Sequence, residues 1–179
     1  CSLDSISTDA PPIDPTSFQS YIGSLNYLAL GTRPDLSCAV NFLARYSAGP
    51  NASHWAALHH LLRYVRATRH HKLLLQPDDS CLHTWSDSSW GGEFHRSTSG
   101  FITKIFNCPI AWGSRRQKTV AKSTCGAEFI ALGGAVDFTL LLLHIVRSIF
   151  PNFKCSILCD NRAAVLVADD NGPRSGLRS

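Results

Sequence analysis

Apolar residues in the N-terminal part of the chain recur at steps of three and four, a spacing that predicts amphipathic helices. Three such stripes cover residues 18–28, 36–46 and 55–65, and Gly or Pro interrupts the pattern between them. Residues 1–16 are rich in Ser, Asp and Pro and are interpreted as a linker or arm. The pattern therefore predicts a small helical segment over residues 17–71.

The apolar pattern becomes strand-like beyond this segment. Residues 72–75 and 82–86 are predicted to be strands on either side of a Pro-Asp-Asp turn. Residues 98–106 and 110–113 flank Asn107-Cys108-Pro109 and predict a β-hairpin. Residues 155–160 are apolar again and end in an acid, so they predict a further strand.

A long helix is predicted between the hairpin and the last strand. Ser123 or Thr124 can cap it, and Phe150-Pro151 ends it near Ile149. Residues 161–168 form a short helix after the last strand. Residues 72–179 therefore have the order strands, long helix, strand, helix, which indicates an α/β domain.

Composition favours a globular protein. Of 179 residues, 44% are hydrophobic and 17% charged, and no apolar run approaches the roughly 18 residues of a membrane span. We therefore expect no membrane association. The chain opens on Cys1 without a signal-peptide pattern, as a fragment would. Seven cysteines without a CxxC pair argue against a disulfide framework. Four of them lie in apolar company, which favours buried thiols in a reducing, intracellular compartment: Cys38, Cys81, Cys155 and Cys159.

Two predicted strands end in an acid, Asp87 and Asp160, and the long helix carries Glu128 near its start. If the strands are neighbours, the three carboxylates meet and supply oxygen ligands suited to Mg²⁺ or Mn²⁺. Two such ions can promote phosphodiester hydrolysis. The alternative, left open by spacing alone, is that each Asp caps the turn or helix after it and that Glu128 is a solvated helix residue.

An ordered series of short segments resembles the signatures of the copia-type retrotransposon ribonuclease H (RNase H) domain. These segments are WSDSSWGG at 85–92, RSTSG at 96–100, IAWGS at 110–114, RQKTVA at 116–121, AEFIAL at 127–132 and CDN at 159–161. Four segments of the helical part resemble the connection between reverse transcriptase and RNase H in the same polyproteins: YIGSLNYLA at 21–29, TRPDL at 32–36, HW at 54–55 and LRYV at 62–65. The resemblance covers about residues 17 to 171.

The resemblance implies an RNase H-like fold, a mixed five-stranded sheet flanked by helices, behind a helical connection segment. It implies cleavage of the RNA strand of RNA–DNA hybrids during reverse transcription, with two Mg²⁺ ions for which Mn²⁺ can substitute. Asp87, Glu128 and Asp160 would be catalytic metal ligands, with Asp87 bridging both ions. The expected partners are the hybrid and the reverse transcriptase region of the same polyprotein, in cytoplasmic retroelement particles.

Basic residues surround the hairpin and the start of the long helix, where they could hold the phosphates of a hybrid. The alternative for each is a solvated surface charge. They are Arg96, Arg115, Arg116, Lys118 and Lys122.

The sequence departs from the family pattern at two places. Cys125-Gly126 stands where the family commonly has Thr-Glu, so one acid is missing. The family's fourth acid has no counterpart before Ser179, which predicts a domain truncated at its C-terminus. The alternative function is therefore a catalytically inactive relic, or a connection module that only binds nucleic acid.

Overall fold

A computed structural model describes residues 14–78, 80–91 and 96–169 of the protein, apart from the side chains of Val167 and Asp169. The chain divides into two compact units, with the boundary between Leu73 and Leu74. Unit 1 is the N-terminal one and unit 2 the C-terminal one.

Unit 1 consists of helices, as the apolar stripes predict. Its elements are α1 (Pro15–Gly31), a single 3₁₀ turn (Pro34–Leu36), α2 (Ser37–Ala44) and α3 (Ala52–Ala67). The apolar stripes pack into one core, in which the most buried side chains are Phe18, Leu36, Val40, Leu43 and Leu58. Asn51 caps α3 by accepting from the His54 amide, and His54 Nδ1 accepts from the Asn51 amide in return.

An ion pair fastens the turn before α2 to the end of α3. Arg33 is buried and donates to both carboxylate oxygens of Asp35, at 2.9 and 2.8 Å. The same guanidinium donates to Thr68 Oγ1, and the Tyr64 hydroxyl donates to Asp35 Oδ2. These hydrogen bonds from Arg33 hold the pKa of the Asp35 carboxyl below its usual range. The pair therefore needs Asp35 ionised.

We expect Asp35→Asn to lower the free energy of unfolding of unit 1 by about 1–2 kcal/mol at neutral pH, because one partner of a half-buried, charge-assisted pair is lost. The folded pKa of Asp35 lies below its unfolded value. The stabilisation is therefore complete above the unfolded pKa of about 4 and is lost as the pH falls through the folded pKa. Urea unfolding of both proteins should show the difference shrinking below about pH 4. A difference independent of pH would contradict this account.

Unit 2 is built on a four-stranded sheet. Its strands are β1 (Cys81–Ser89), β2 (Thr98–Ile105), β3 (Cys108–Arg116) and β4 (Lys154–Cys159), in the spatial order β3-β2-β1-β4. β2 is antiparallel to β1 and β3, whereas β4 is parallel to β1. The helices α4 (Thr124–Arg147) and α5 (Arg162–Asp169) complete the unit. This mixed α/β arrangement confirms the predicted fold class and is compatible with an RNase H-like fold.

The sheet has four strands within the described residues, where five were expected. The prediction of a strand over residues 72–75 is wrong, since the structure describes this segment without regular secondary structure. Leu74 and Leu75 are 71% and 61% exposed, so apolar character alone did not bring the segment into the sheet. A strand forms only where a neighbour supplies hydrogen bonds, which residue type does not reveal.

The predicted hairpin is present as β2 and β3. Phe106 and Asn107 connect the strands, and both have positive φ angles, 52° and 62°. Positive φ at both central residues defines the type I′ turn, whose twist matches that of the flanking strands. Pro109 is tolerated because β3 is an edge strand.

Helix α4 packs across β1 and β2. Thr139 is fully buried and donates to Thr84 Oγ1 at 2.7 Å, and Thr84 contacts Thr103 Oγ1 at 3.0 Å. By length and composition alone α4 could cross a membrane, so the expectation that the chain has no apolar stretch of that length is wrong. Its buried face lies on the sheet through small residues, Ala127, Ala131 and Ala135, as the core helix of an α/β domain does.

Candidate metal centre

The sheet topology brings the ends of β1 and β4 together. Because the two strands are parallel neighbours with Ser86 opposite Cys159, the residues that follow, Asp87 and Asp160, lie at the same edge of the sheet. The condition on which the sequence prediction depended, that the two acid-ended strands are neighbours, is therefore met.

Glu128 reaches this edge from α4, one turn after the start of the helix. Ser123 caps the helix by accepting from the Gly126 amide at 3.0 Å. The Glu128 side chain is buried, with 7% of the residue exposed, and Ser88 anchors it. The amide and the hydroxyl of Ser88 both donate to Glu128 Oε1, at 3.0 and 2.9 Å. Two donors on one oxygen offset the cost of burying a carboxylate and leave Oε2 for another ligand.

Glu128 of α4 and Asp160 at the end of β4 lie close together, and the neighbouring residue Cys159 belongs to the same cluster. Each of these three residues offers a ligand atom, and the three atoms lie within 4.8 Å of one another. Cys159 Sγ is 3.9 Å from Glu128 Oε2. Two of the three predicted acids therefore meet in a cluster that also contains a thiol.

Asp87 is outside this cluster. It is exposed, and the strand pleat places it with His83 and Trp85, on the opposite side of β1 from Ser86 and Ser88. Asp87 nevertheless directly follows Ser86, which pairs with Cys159 of β4. On its other side the backbone of Asp87 pairs with Gly100 of β2. The structure thus brings Asp87 to the correct edge of the sheet without bringing its carboxylate to the other two.

The cap alternative receives no support from the described residues. The amide of Ala164 at the start of α5 donates to Asn161 Oδ1 at 3.0 Å, so Asn161 and not Asp160 caps that helix. No hydrogen bond joins the carboxylate of Asp87 to another described residue. Glu128 is not a solvated helix residue, because it is buried.

Two further residues hold the start of α4 in place, and no role of this kind was predicted for either of them. Gln117 is buried, and its side-chain amide donates to Ala127 O at 2.8 Å and to Ser99 Oγ at 2.9 Å. Trp90 Nε1 donates to Ala121 O at 3.3 Å. Both belong to segments on which the resemblance rests, and that was their only signal. Ser88 could have been found from strand alternation, because it shares a face with Leu82 and Thr84.

The predicted basic residues lie at the same edge of the sheet as the acids. Arg115 and Arg116 end β3, opposite Ser99 and Thr98 at the start of β2, and Ser89 of β1 lies at the same level. The described parts of the chain place the remaining three just before β2, just after β3 and just before α4. They are Arg96, Lys118 and Lys122, of which the two lysines are exposed. A phosphate backbone bound along this edge would lie near the basic side chains as well as near the carboxylates.

The Cys159 thiol was missed as part of the site. Burial raises its pKa above the ordinary value, and the charges of Glu128 and Asp160 raise it further, while a hydrogen bond from the neighbouring Asn161 amide acts in the opposite direction. Cys159 is therefore a protonated, weakly nucleophilic thiol at neutral pH.

The expectation of a buried thiol is wrong for Cys38 and Cys155, which are both exposed. Alkylation should therefore distinguish Cys159 from Cys155 on the same strand. We expect iodoacetamide at pH 8 to modify Cys159 more slowly. Because both thiols lie in one tryptic peptide, residues 155–162, fragment-ion mass spectrometry measures them together. Glu128→Gln removes a negative charge and keeps a Ser88 acceptor, so it should speed the modification of Cys159 relative to Cys155. Equal rates at both positions in both proteins would contradict the assigned environment.

Several known proteins similar to this chain are retrotransposon polyproteins. The chain is 43% identical over 119 residues to the retrovirus-related Pol polyprotein from transposon RE2 of Arabidopsis thaliana, an alignment covering 65% of the chain and 8% of that polyprotein. It is 30% identical over 151 residues, 83% of the chain, to the Pol polyprotein from transposon TNT 1-94 of Nicotiana tabacum, of which 11% is covered. No family model matches the chain.

A shorter relative aligns over most of its length. It is the secreted RxLR effector protein 161 of Plasmopara viticola, 37% identical over 123 residues, which cover 67% of this chain and 87% of the effector. The fold of unit 2 and the cluster of Glu128, Cys159 and Asp160, called the edge cluster below, define a protein with an α/β unit and an acidic site at the ends of neighbouring strands. The chain belongs to the family formed by copia-type retrotransposon Pol polyprotein segments and their shorter relatives.

Proposed function

We propose that unit 2 is a metal-dependent ribonuclease H that hydrolyses the RNA strand of RNA–DNA hybrids, as a part of a retroelement Pol polyprotein. The observation that carries the proposal is the buried Glu128, fixed by Ser88, next to Asp160 at the end of the strand beside β1. The chain aligns with only about a tenth or less of the two Pol polyproteins above, so the activity of those whole proteins does not transfer by similarity alone.

The donor set partly fits Mg²⁺. Glu128 Oε2 and the Asp160 carboxylate are hard oxygen ligands of the kind that Mg²⁺ and Mn²⁺ prefer. Asp87, at the end of β1, would be the third ligand only after its side chain had turned towards them from the opposite face of the strand. Such ions, when bound, activate a water and stabilise the leaving oxygen of a phosphodiester. Cys159 is the donor that does not fit a hard cation.

The residues of the chain supply positioning and charge. Ser88 occupies Oε1 of Glu128 and so directs Oε2 towards Asp160 and Cys159. The five basic residues at the same edge can neutralise phosphates on either side of the cleaved bond. The hybrid, the reverse transcriptase region and a cytoplasmic retroelement particle are the partners and the location that this proposal implies.

The test is cleavage of a labelled RNA–DNA hybrid in Mg²⁺ or Mn²⁺. Glu128→Gln, Asp160→Asn and Asp87→Asn should each lower the rate at least about 100-fold, because each removes a group that stabilises charge in the transition state. Asp137→Asn removes an exposed carboxylate from the same helix and is the matched control.

Two outcomes would overturn parts of this proposal. Binding of the hybrid without cleavage by the unmutated chain would refute the enzyme. Cleavage at an unchanged rate in Asp87→Asn would remove Asp87 from the site while leaving the enzyme in place.

A second candidate function, nucleic-acid binding by unit 1, is favoured by one observation. Residues 36–73 contain no Asp or Glu but five Lys or Arg. Around the end of α3, the exposed side chains of Arg63, Arg66, Arg69 and His70 line one shallow depression. A cluster of exposed basic side chains is the electrostatic pattern that binds a phosphate backbone.

Salt dependence tests this second candidate. With chelator present to prevent cleavage, hybrid binding should weaken with salt, and Arg66→Gln should reduce the slope of log affinity against log salt by about 0.9, one phosphate contact. Lys154→Gln, an exposed cation at the opposite end of β4 from the acids, should leave the slope unchanged. Equal slopes for all three proteins would refute a contact at Arg66.

A further inference from the structure

The edge cluster has a donor that the proposed nuclease does not use. Cys159 Sγ lies 3.9 Å from Glu128 Oε2, and Asp160 completes a group whose ligand atoms are within 4.8 Å of one another. In a tetrahedral site with bonds of about 2.3 Å to sulfur and about 2.1 Å to oxygen, the sulfur and oxygen ligands are separated by about 3.6 Å. Small side-chain adjustments would therefore bring all three atoms onto one ion.

A second observation points into the same space. Ser86 is 5% exposed, and its hydroxyl is buried without a hydrogen-bond partner. It lies directly opposite Cys159 in the parallel β1–β4 pair, on the face of β1 that meets α4. A buried hydroxyl without a partner is costly, and a bound ion, its water or an ionised thiol would satisfy it.

The chemistry of the donors selects the class of ion. Mg²⁺ takes oxygen ligands, whereas a thiolate favours Zn²⁺ or the softer Cd²⁺. Zinc is bound in proteins by cysteine sulfur and by carboxylate oxygen, and its open sites have three protein ligands with water in the fourth position. The pairing of Cys159 with two carboxylates is therefore better matched to a thiophilic ion than to a hard one.

We propose that Glu128, Cys159 and Asp160 form a binding site for a thiophilic divalent cation, with Zn²⁺ as the natural ligand, and that this ion competes with Mg²⁺ for the two carboxylates. Zinc binding itself does not depend on nuclease activity, whereas the competition rests on the proposed function. The Ser88 contact keeps Glu128 Oε2 turned towards the thiol in either case.

Cadmium reports the bond directly, because a cadmium–thiolate bond absorbs in the ultraviolet. Titration of the folded chain with Cd²⁺ should give a charge-transfer band that Cys159→Ser loses. Cys155→Ser is the matched control, since Cys155 is exposed four residues earlier on the same strand, and it should keep the band. Glu128→Gln should weaken Cd²⁺ binding by at least about tenfold, a loss seen even for residues that only support a metal ligand. Circular dichroism verifies that each variant is folded.

Retention of the full band in Cys159→Ser, or its loss in both cysteine variants, would overturn the proposal. The same holds if Glu128→Gln binds Cd²⁺ as tightly as the unmutated chain. Nuclease assays in Mg²⁺ without zinc keep the two proposals distinguishable. An active chain with no cadmium site refutes this inference alone, and an inactive chain that binds Cd²⁺ through Cys159 refutes the nuclease alone.

Discussion

The contact between Ser88 and Glu128 is the interaction on which the site depends. A carboxylate placed in the interior between a helix and a sheet is strongly unfavourable unless it is hydrogen-bonded. Ser88 supplies two donors from the end of β1, and both bind the same oxygen of Glu128. The buried hydroxyls of Thr139 and Thr84 hold the same helix to the same strand further along. Helix α4 is therefore fixed to β1 by two sets of polar contacts. The contact between Ser88 and Glu128 presents a carboxylate oxygen at the edge of the sheet.

The parallel pairing of β1 with β4 gives this oxygen its neighbours. β4 ends in Cys159 and Asp160, and its register against β1 puts both beside the start of α4. Gln117 and Ser123 also hold the start of α4, since Gln117 binds the carbonyl of Ala127 and Ser123 caps the helix. The edge thus combines a preorganised carboxylate, a second carboxylate on a strand end and a thiol, with basic residues along the same edge.

Much of this arrangement could be predicted from the sequence, and the exceptions have physical reasons. Apolar periodicity predicted the helices, because a helix that packs on a core must place apolar residues at steps of three and four. It failed for residues 72–75, because strand pairing depends on a partner elsewhere in the chain. The acid-ended strands predicted Asp160 and Glu128 at one edge, but not that Asp87 faces away from them, since one residue of strand register reverses the direction of a side chain. Cys159 was predicted only as a buried thiol, because its neighbours are set by the β1–β4 register.

The central claim is that Glu128 and Asp160 form a metal centre. The most direct measurement is a crystal structure of the chain grown with Mn²⁺, in which anomalous scattering locates the ion without reference to activity. We expect a peak within coordination distance of Glu128 Oε2 and of the Asp160 carboxylate, with Glu128 Oε1 still bound by Ser88. A well-ordered edge with no anomalous peak there, or peaks only at other surface carboxylates, would contradict the claim.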